Sequence, residues 1–337
     1  MKLRYYLLNR LLQSIFVLLG ISLILFVVSN VIPADPVRAA AGPKASQEEL
    51  AAIRMKLGFD KPLHMQYITY IGNILHGDLG RSVVTLRPVI ADLAERLPAT
   101  LELSIFTALI TIIIGIGLGI LSAQRRNTLV DHVVRVVSLG GISMPSFWLA
   151  LLFQIIFFLR LGLLPGGGRL DPEMIPPIHI TGLYVLDSIL TGNIKTLINS
   201  IFHLIGPTIS GSTIGIASTI RMMRAGMLDE ITKDYVRMLR SAGVTERIIV
   251  YKYVLKNSLV PVITLLGVMF GSILGGSFII ETVFSWPGVG RYGTQALLNL
   301  DFQPIISIAL VMSVMYSLSN LIVDIIYFYL NPKIGLE

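Results

Sequence analysis

The sequence predicts an all-α polytopic membrane protein with six transmembrane helices and cytoplasmic N and C termini. Three observations carry that expectation. The chain is 54% hydrophobic and only 14% charged, with a mean hydropathy of +0.76, whereas an ordinary globular domain is about 25% charged. Its charges interrupt six long apolar runs, between Arg10 and Asp35, Glu102 and Arg125, Arg135 and Arg160, Lys195 and Arg221, Lys256 and Glu281, and Asp301 and Asp324. Each is long enough for a helix to cross about 30 Å of hydrocarbon, which takes about 20 residues. The runs lack the alternation of barrel strands. Finally, Lys and Arg crowd the pieces 1–10, 124–135, 221–256 and 331–337, which places those pieces and both termini inside. The net charge of +7 therefore points to a membrane surface rather than nucleic acid.

The first element has a basic head like a signal peptide. Its uncharged stretch from Leu11 to Ala34 exceeds an h-region of about 7–15 residues, and PADP after it is no small-residue cleavage site, so it reads as a retained span. Segment 33–97 reads as a small helical cap on the outer face. Ser46-Gln-Glu-Glu49 fits a capping box before AAIRMKL, and Pro62 opens a second helix that ends near Gly77. The chain divides into 1–97, a span plus this cap, and 98–337, a core of five spans with the inner loop 221–256.

Catalytic signatures are missing. The sequence holds no HExxH, GxSxG or Walker A loop. GIGLGI at 115–120 lies inside an apolar run and reads as close helix packing. His64, His76, His132, His179 and His203 have no metal-ligand spacing, and with no cysteine there is neither a disulfide nor a thiolate site. No catalytic or metal residue and no resident cofactor is expected.

KDYVRMLRSAGVTERIIVYKYVLKN, residues 233–257, is the charged exception between two apolar runs. Asp229–Ala242 and Thr245–Asn257 read as two helices broken at Gly243, with Thr245 as N-cap. Ile248, Tyr251 and Leu255 share a face of the second. Such an elbow fits a lipid-facing loop, an interfacial helix or a docking element for a partner.

The fourth run, GPTISGSTIGIASTI, carries hydroxyls at Thr208, Ser210, Ser212, Thr213, Ser218 and Thr219. Thr208, Ser212, Thr213 and Thr219, with Glu281, are candidates to line a polar path between the helices; tight small-residue packing is the alternative. Glu102, Glu281 and Asp324 stand at the ends of apolar runs. Trp286, Pro287 and Gly288 are candidates for an outer gate or a contact with an outer partner, against a plain interfacial anchor.

The elbow resembles the cytoplasmic loop of ABC-importer permeases. Against the general pattern EAA-x3-G-x9-I-x-L-P, Gly243 and Leu255 fit, while Arg237-Met238-Leu239, Tyr253 and Lys256 depart. The peptide-permease form, DYVRxxRxxG followed by Asn and Pro, is matched by Asp234, Tyr235, Val236, Arg237, Arg240, Gly243, Asn257 and Pro261. GDLGRS (77–82), RLPATLEL (96–103), SMPSFW (143–148), LGLLPGGG (161–168), ETVFSWPGVGR (281–291) and NLIVDIIYFYLNPKI (320–334) extend the likeness over most of the chain. The sequence is thus similar to the dipeptide/oligopeptide/nickel ABC-transporter permease family, and TGLYVLDSIL (181–190) looks like its dipeptide branch.

That resemblance implies a type I ABC importer permease fold in a bacterial inner membrane, importing dipeptides or oligopeptides by alternating access. It implies a second homologous permease, two ABC ATPases that bind ATP and Mg, and an extracytoplasmic peptide-binding protein. Asp234, Tyr235, Arg237, Arg240, Ser241, Gly243, Glu246 and Asn257 would form the ATPase-coupling loop. Nickel chelates, glutathione or haem are alternative cargoes. A proton-coupled carrier is the alternative from another class, but no acid or base lies near the middle of any run.

Overall fold

The computed structural model describes residues 3–31, Ser46 and 62–330, and is helical there apart from loops and an isolated bridge between Arg81 and Pro88. Helix α1 (Leu3–Val31) exposes Phe16, Val17 and Ile24, an apolar surface suited to lipid rather than water. Helix α2 (Leu63–Leu75) starts after Pro62 and ends at Gly77, whose φ of 79° only glycine adopts freely. Tyr67 and Tyr70 of α2 pack on Phe26 of α1, and the Tyr67 hydroxyl lies 2.9 Å from Ser22 Oγ. The expected capping box, apart from Ser46 itself, and AAIRMKL lie outside the described residues.

Helix α3 (Val89–Gln124) starts well before the second apolar run and continues through Pro98, so the boundary drawn at 97/98 falls inside a helix. At about 1.5 Å per residue it is longer than a bilayer's hydrocarbon is thick, so one end projects from it. The third run is not one straight span, which corrects the sequence expectation. Helices α4 (Leu129–Ser143) and α5 (Ser146–Phe153, prolonged by a π turn over Gln154–Arg160) meet at 105°. Pro145 cannot continue the hydrogen bonding of α4, and Met144 before it takes the extended conformation that proline imposes. Hydropathy reports composition and length, and a corner of two residues changes neither.

After α6 (Tyr184–Leu190) comes α7 (Ile194–Glu230), whose first turn is capped by the Asn193 side chain accepting from the Thr196 amide. Asp229 and Glu230 belong to α7, not to the elbow helix α8 (Asp234–Ser241). Beyond Gly243 a short α9 (Glu246–Ile248) runs through a π segment, Ile249–Val254, into α10 (Leu255–Val283). Helices α11 (Val289–Leu298) and α12 (Phe302–Leu330) complete the chain; the side chain of Asp324 lies outside the described residues. Among the described residues, Leu8–Val28, Val89–Gln124, Glu246–Met269 and Phe302–Val323 are long and apolar enough to cross a membrane, and the bent α4–α5 pair makes a fifth.

Helices α3 and α7 run side by side with a four-residue register. Gly211 faces Thr107 and Gly215 faces Thr111; then the roles exchange, with Gly115 facing Thr219 and Gly119 facing Met223. Each glycine is the socket for the opposite side chain. A Cβ at Gly115 would stand 2.6 Å from Thr219 Cβ. Gly115→Val is therefore expected to destabilise the chain by about 1–3 kcal/mol. Adding Thr219→Gly should recover most of that loss in thermal unfolding in detergent.

Candidate functional site: a charged elbow and a buried polar knot

The elbow is fastened by one apolar side. Val236 of α8, Ile249 and Val254 are fully buried against Met223 and Met227 of α7, Val262 of α10 and Ala123 of α3. The sequence expected Ile248, Tyr251 and Leu255 to form one apolar face of the second elbow helix. Instead Ile248 and Tyr251 are about half exposed, and Leu255 alone of the three packs on the cluster. The π turn widens the helix by one residue per turn, so the buried pair is spaced by five.

At the corner, Val244 N–H donates to Leu239 O and Gly243 N–H to Arg240 O, the paired bonds that end a helix in a left-handed residue. Gly243 has φ 79°, and nothing lies within 4 Å of where its Cβ would be. Glycine stands here for its backbone, not for space. Thr245 occupies the N-cap position without making a side-chain capping bond.

The expected coupling residues share this corner. Asp234, Arg237, Arg240, Ser241, Gly243, Glu246 and Asn257 are exposed, and Tyr235 is half-buried. Arg240 donates to Glu246 across the bend (2.5 Å) and Arg237 to Asp234 (3.3 Å). Both guanidinium groups have local acids as partners, in exposed pairs that water screens. Tyr235 donates to Glu230 (3.1 Å) and accepts from Asn257 Nδ2 (3.3 Å), tying α8 to the ends of α7 and α10.

At the far end of α3 lies a knot of buried polar groups. Glu281 is fully buried and accepts from Thr100 Oγ1 (2.7 Å) and the Arg291 amide (3.0 Å). A Cβ at Gly288 would collide with both Thr100 and Glu281. Trp286 is 1% exposed and donates its indole N–H to Ala99 O (2.8 Å). It is therefore not a surface anchor; of the three candidate gate residues only Pro287 is exposed.

Beside the knot, Arg169 and Glu102 form an ion pair at 2.6 Å with both side chains almost wholly buried. The guanidinium also donates to Gly182 O and lies 3.5 Å from the Tyr184 ring centroid. Asp187 pins the same loop by accepting from the amides of Ile180, Thr181 and Gly182 and the Thr181 hydroxyl. Burial pushes its carboxyl up, but those bonds outweigh burial and hold it below the ordinary carboxylate range.

The candidate path residues do not converge on one open surface of this chain. Thr208, Ser212 and Thr219 are buried, Thr219 against Gly115, while Thr213 packs on Gly141 of α4. Arg169, Asp131 and Asp187 were not singled out from the sequence. The signal was available for Arg169, a lone cation directly after Gly166-Gly167-Gly168.

Long apolar helices around a packed interior, with one charged corner left in the open, define a polytopic membrane protein. No group of three His, Asp or Glu side chains suited to a metal occurs among the described residues. The chain belongs to the binding-protein-dependent transport system inner membrane component family, whose sequence model matches residues 115–336. The model of the N-terminal segment of such membrane components matches residues 3–104.

Relatives align over nearly full length. The probable D,D-dipeptide transport system permease protein DdpB of Escherichia coli (strain K12) is 43% identical, over 95% of this chain and 94% of the relative. The dipeptide transport system permease protein DppB of Alkalihalophilus pseudofirmus is 41% identical over 98% of each. The glutathione transport system permease protein GsiC of Salmonella typhi is 35% identical, also over 98% of each. The chain is thus a permease subunit of the bacterial inner membrane.

Proposed function

We propose that this chain is one of two permease subunits of an ATP-driven importer of dipeptides and oligopeptides. The observation that carries the reading is the elbow: an exposed charged corner whose buried side is packed against α3, α7 and α10 at once. A corner so fastened moves with the helices it joins. Two ABC ATPases holding ATP and Mg would grip it, and an extracytoplasmic binding protein would deliver cargo to the opposite face. Closure of the ATPase dimer would draw the elbows of the two permeases together and turn the path outward; hydrolysis would reset it. This chain carries no cofactor of its own.

Six crossings with both termini inside complete the reading, α7 supplying the crossing that hydropathy alone ranks lower. The Lys and Arg bias of the short loops supports that orientation. The two family matches also divide the chain into an N-terminal and a C-terminal part, but they part between residues 104 and 115, inside α3 and beyond 97/98. Peptide cargo is supported by the dipeptide-permease relatives, and glutathione, itself a peptide, by the GsiC relative. Thr208, Ser212, Thr213, Thr219 and Glu281 would face cargo only after α3 and α7 shift. Pro287 would be the exposed part of any binding-protein contact, with Trp286 and Gly288 supporting it from below.

The test is uptake of labelled dipeptide and glutathione by cells holding the complete system. With a protonophore present and ATP maintained, uptake should persist. Collapse of uptake with the proton gradient would overturn the reading in favour of a proton-coupled carrier.

A further inference from the structure

Asp131, in the first turn of α4, is fully buried, and every acceptor position of its carboxylate is filled. Oδ1 accepts from Ser122 Oγ at the end of α3 (2.6 Å) and from Arg224 Nε on α7 (2.7 Å). Oδ2 accepts from the Asn127 amide in the α3–α4 turn (3.0 Å) and from Arg224 Nη2 (2.8 Å). Arg135 Nε stands 3.6 Å from Oδ1, one turn along α4. Asn127 has φ 63°, a conformation asparagine tolerates better than most residues, and so aims its N–H at the carboxylate. Three elements thus converge on one side chain.

Where the fork sits matters more than its strength. Arg224 lies in the last two turns of α7, and only residues 231–233 separate that helix from α8. On the same stretch, Met223 and Met227 hold the elbow's buried face. Elsewhere α4 meets α7 through small side chains, such as Thr213 on Gly141. Such contacts resist compression but permit sliding, whereas a bidentate Arg–carboxylate pair fixes orientation as well as distance.

Building on the ATP-driven reading, we propose that the Asp131–Arg224 pair is the joint that passes movement of the elbow from α7 into the α3–α4 hairpin. Both are positioning residues for transport: they bind neither cargo nor nucleotide. With the joint loosened, the elbow still moves and the ATPases still turn over, but α4 lags behind α7.

The experiment uses the assembled complex in proteoliposomes with binding protein, labelled dipeptide and ATP. Asp131→Asn keeps the shape and removes the charge. Arg224→Lys keeps the charge and removes the fork, and it decides the matter if the first variant fails to assemble. Uptake per ATP hydrolysed should fall about tenfold in each, with hydrolysis changed less than about twofold. The double variant should be no worse than the worse single variant, because both remove the same link. Unchanged uptake per ATP, or loss of uptake and hydrolysis strictly in step with the amount of complex formed, would overturn the joint. A wild-type complex that hydrolyses ATP without any uptake would instead overturn the importer reading, and the joint with it.

Discussion

Glu102→Leu lowers the stability of the folded chain by about 3–5 kcal/mol, because it leaves the Arg169 guanidinium buried without its carboxylate. Arg169 cannot swing out to water. Its side chain is 6% exposed, wedged against Tyr184 and bonded to Gly182 O, and its Nε already has no hydrogen-bond partner. The Val185 amide loses its acceptor as well. The double variant Glu102→Leu, Arg169→Met should recover most of the loss, since an apolar pair of similar volume replaces a buried ion pair at little cost. Thermal unfolding in detergent orders the three proteins. A single variant within about 1 kcal/mol of wild type would mean that Arg169 finds another partner, and the Glu102–Arg169 pair is then not rigidly held.

The second large effect falls on coupling. Gly243→Val is expected to reduce uptake at least about tenfold while the complex still assembles and hydrolyses ATP, because a β-branched residue at φ 79° costs about 1–2 kcal/mol and opens the corner. Gly243→Asn, which visits that conformation readily, should retain most uptake. The contrast separates backbone from bulk, since no neighbour within 4 Å would meet either Cβ. Gly243→Trp should uncouple at least as completely as Val, adding bulk on the exposed side of the corner. Normal uptake by the Val variant would remove the elbow from the mechanism.

Much of this was legible in the sequence for reasons of scale. Long uncharged runs mark helices that water cannot cover, and a glycine between two charged helical stretches marks a left-handed corner. Both are local properties, readable without knowing what packs where. The buried pair of the second elbow helix, Ile249 and Val254, does not follow from a period of 3.6, because a π turn runs through 249–254. The third run was read as straight because hydropathy cannot see the bend that Pro145 imposes on an otherwise uniform stretch.

The buried charges show the deeper limit. Glu102 and Arg169 lie 67 positions apart, Asp131 and Arg224 lie 93 apart, and Thr100 and Glu281 lie 181 apart. No spacing rule joins such residues; only the packing of α3 on α10 and on the loop before α6, and of α4 on α7, brings them within a hydrogen bond. By itself the sequence determined that the chain is helical, lives in a membrane and carries a charged corner between two apolar runs, because those follow from local composition and periodicity. Tertiary structure decided which charges stay in the open and which are buried in pairs. A charge in hydrocarbon or packed protein survives only beside its partner, and that partner is chosen by the fold.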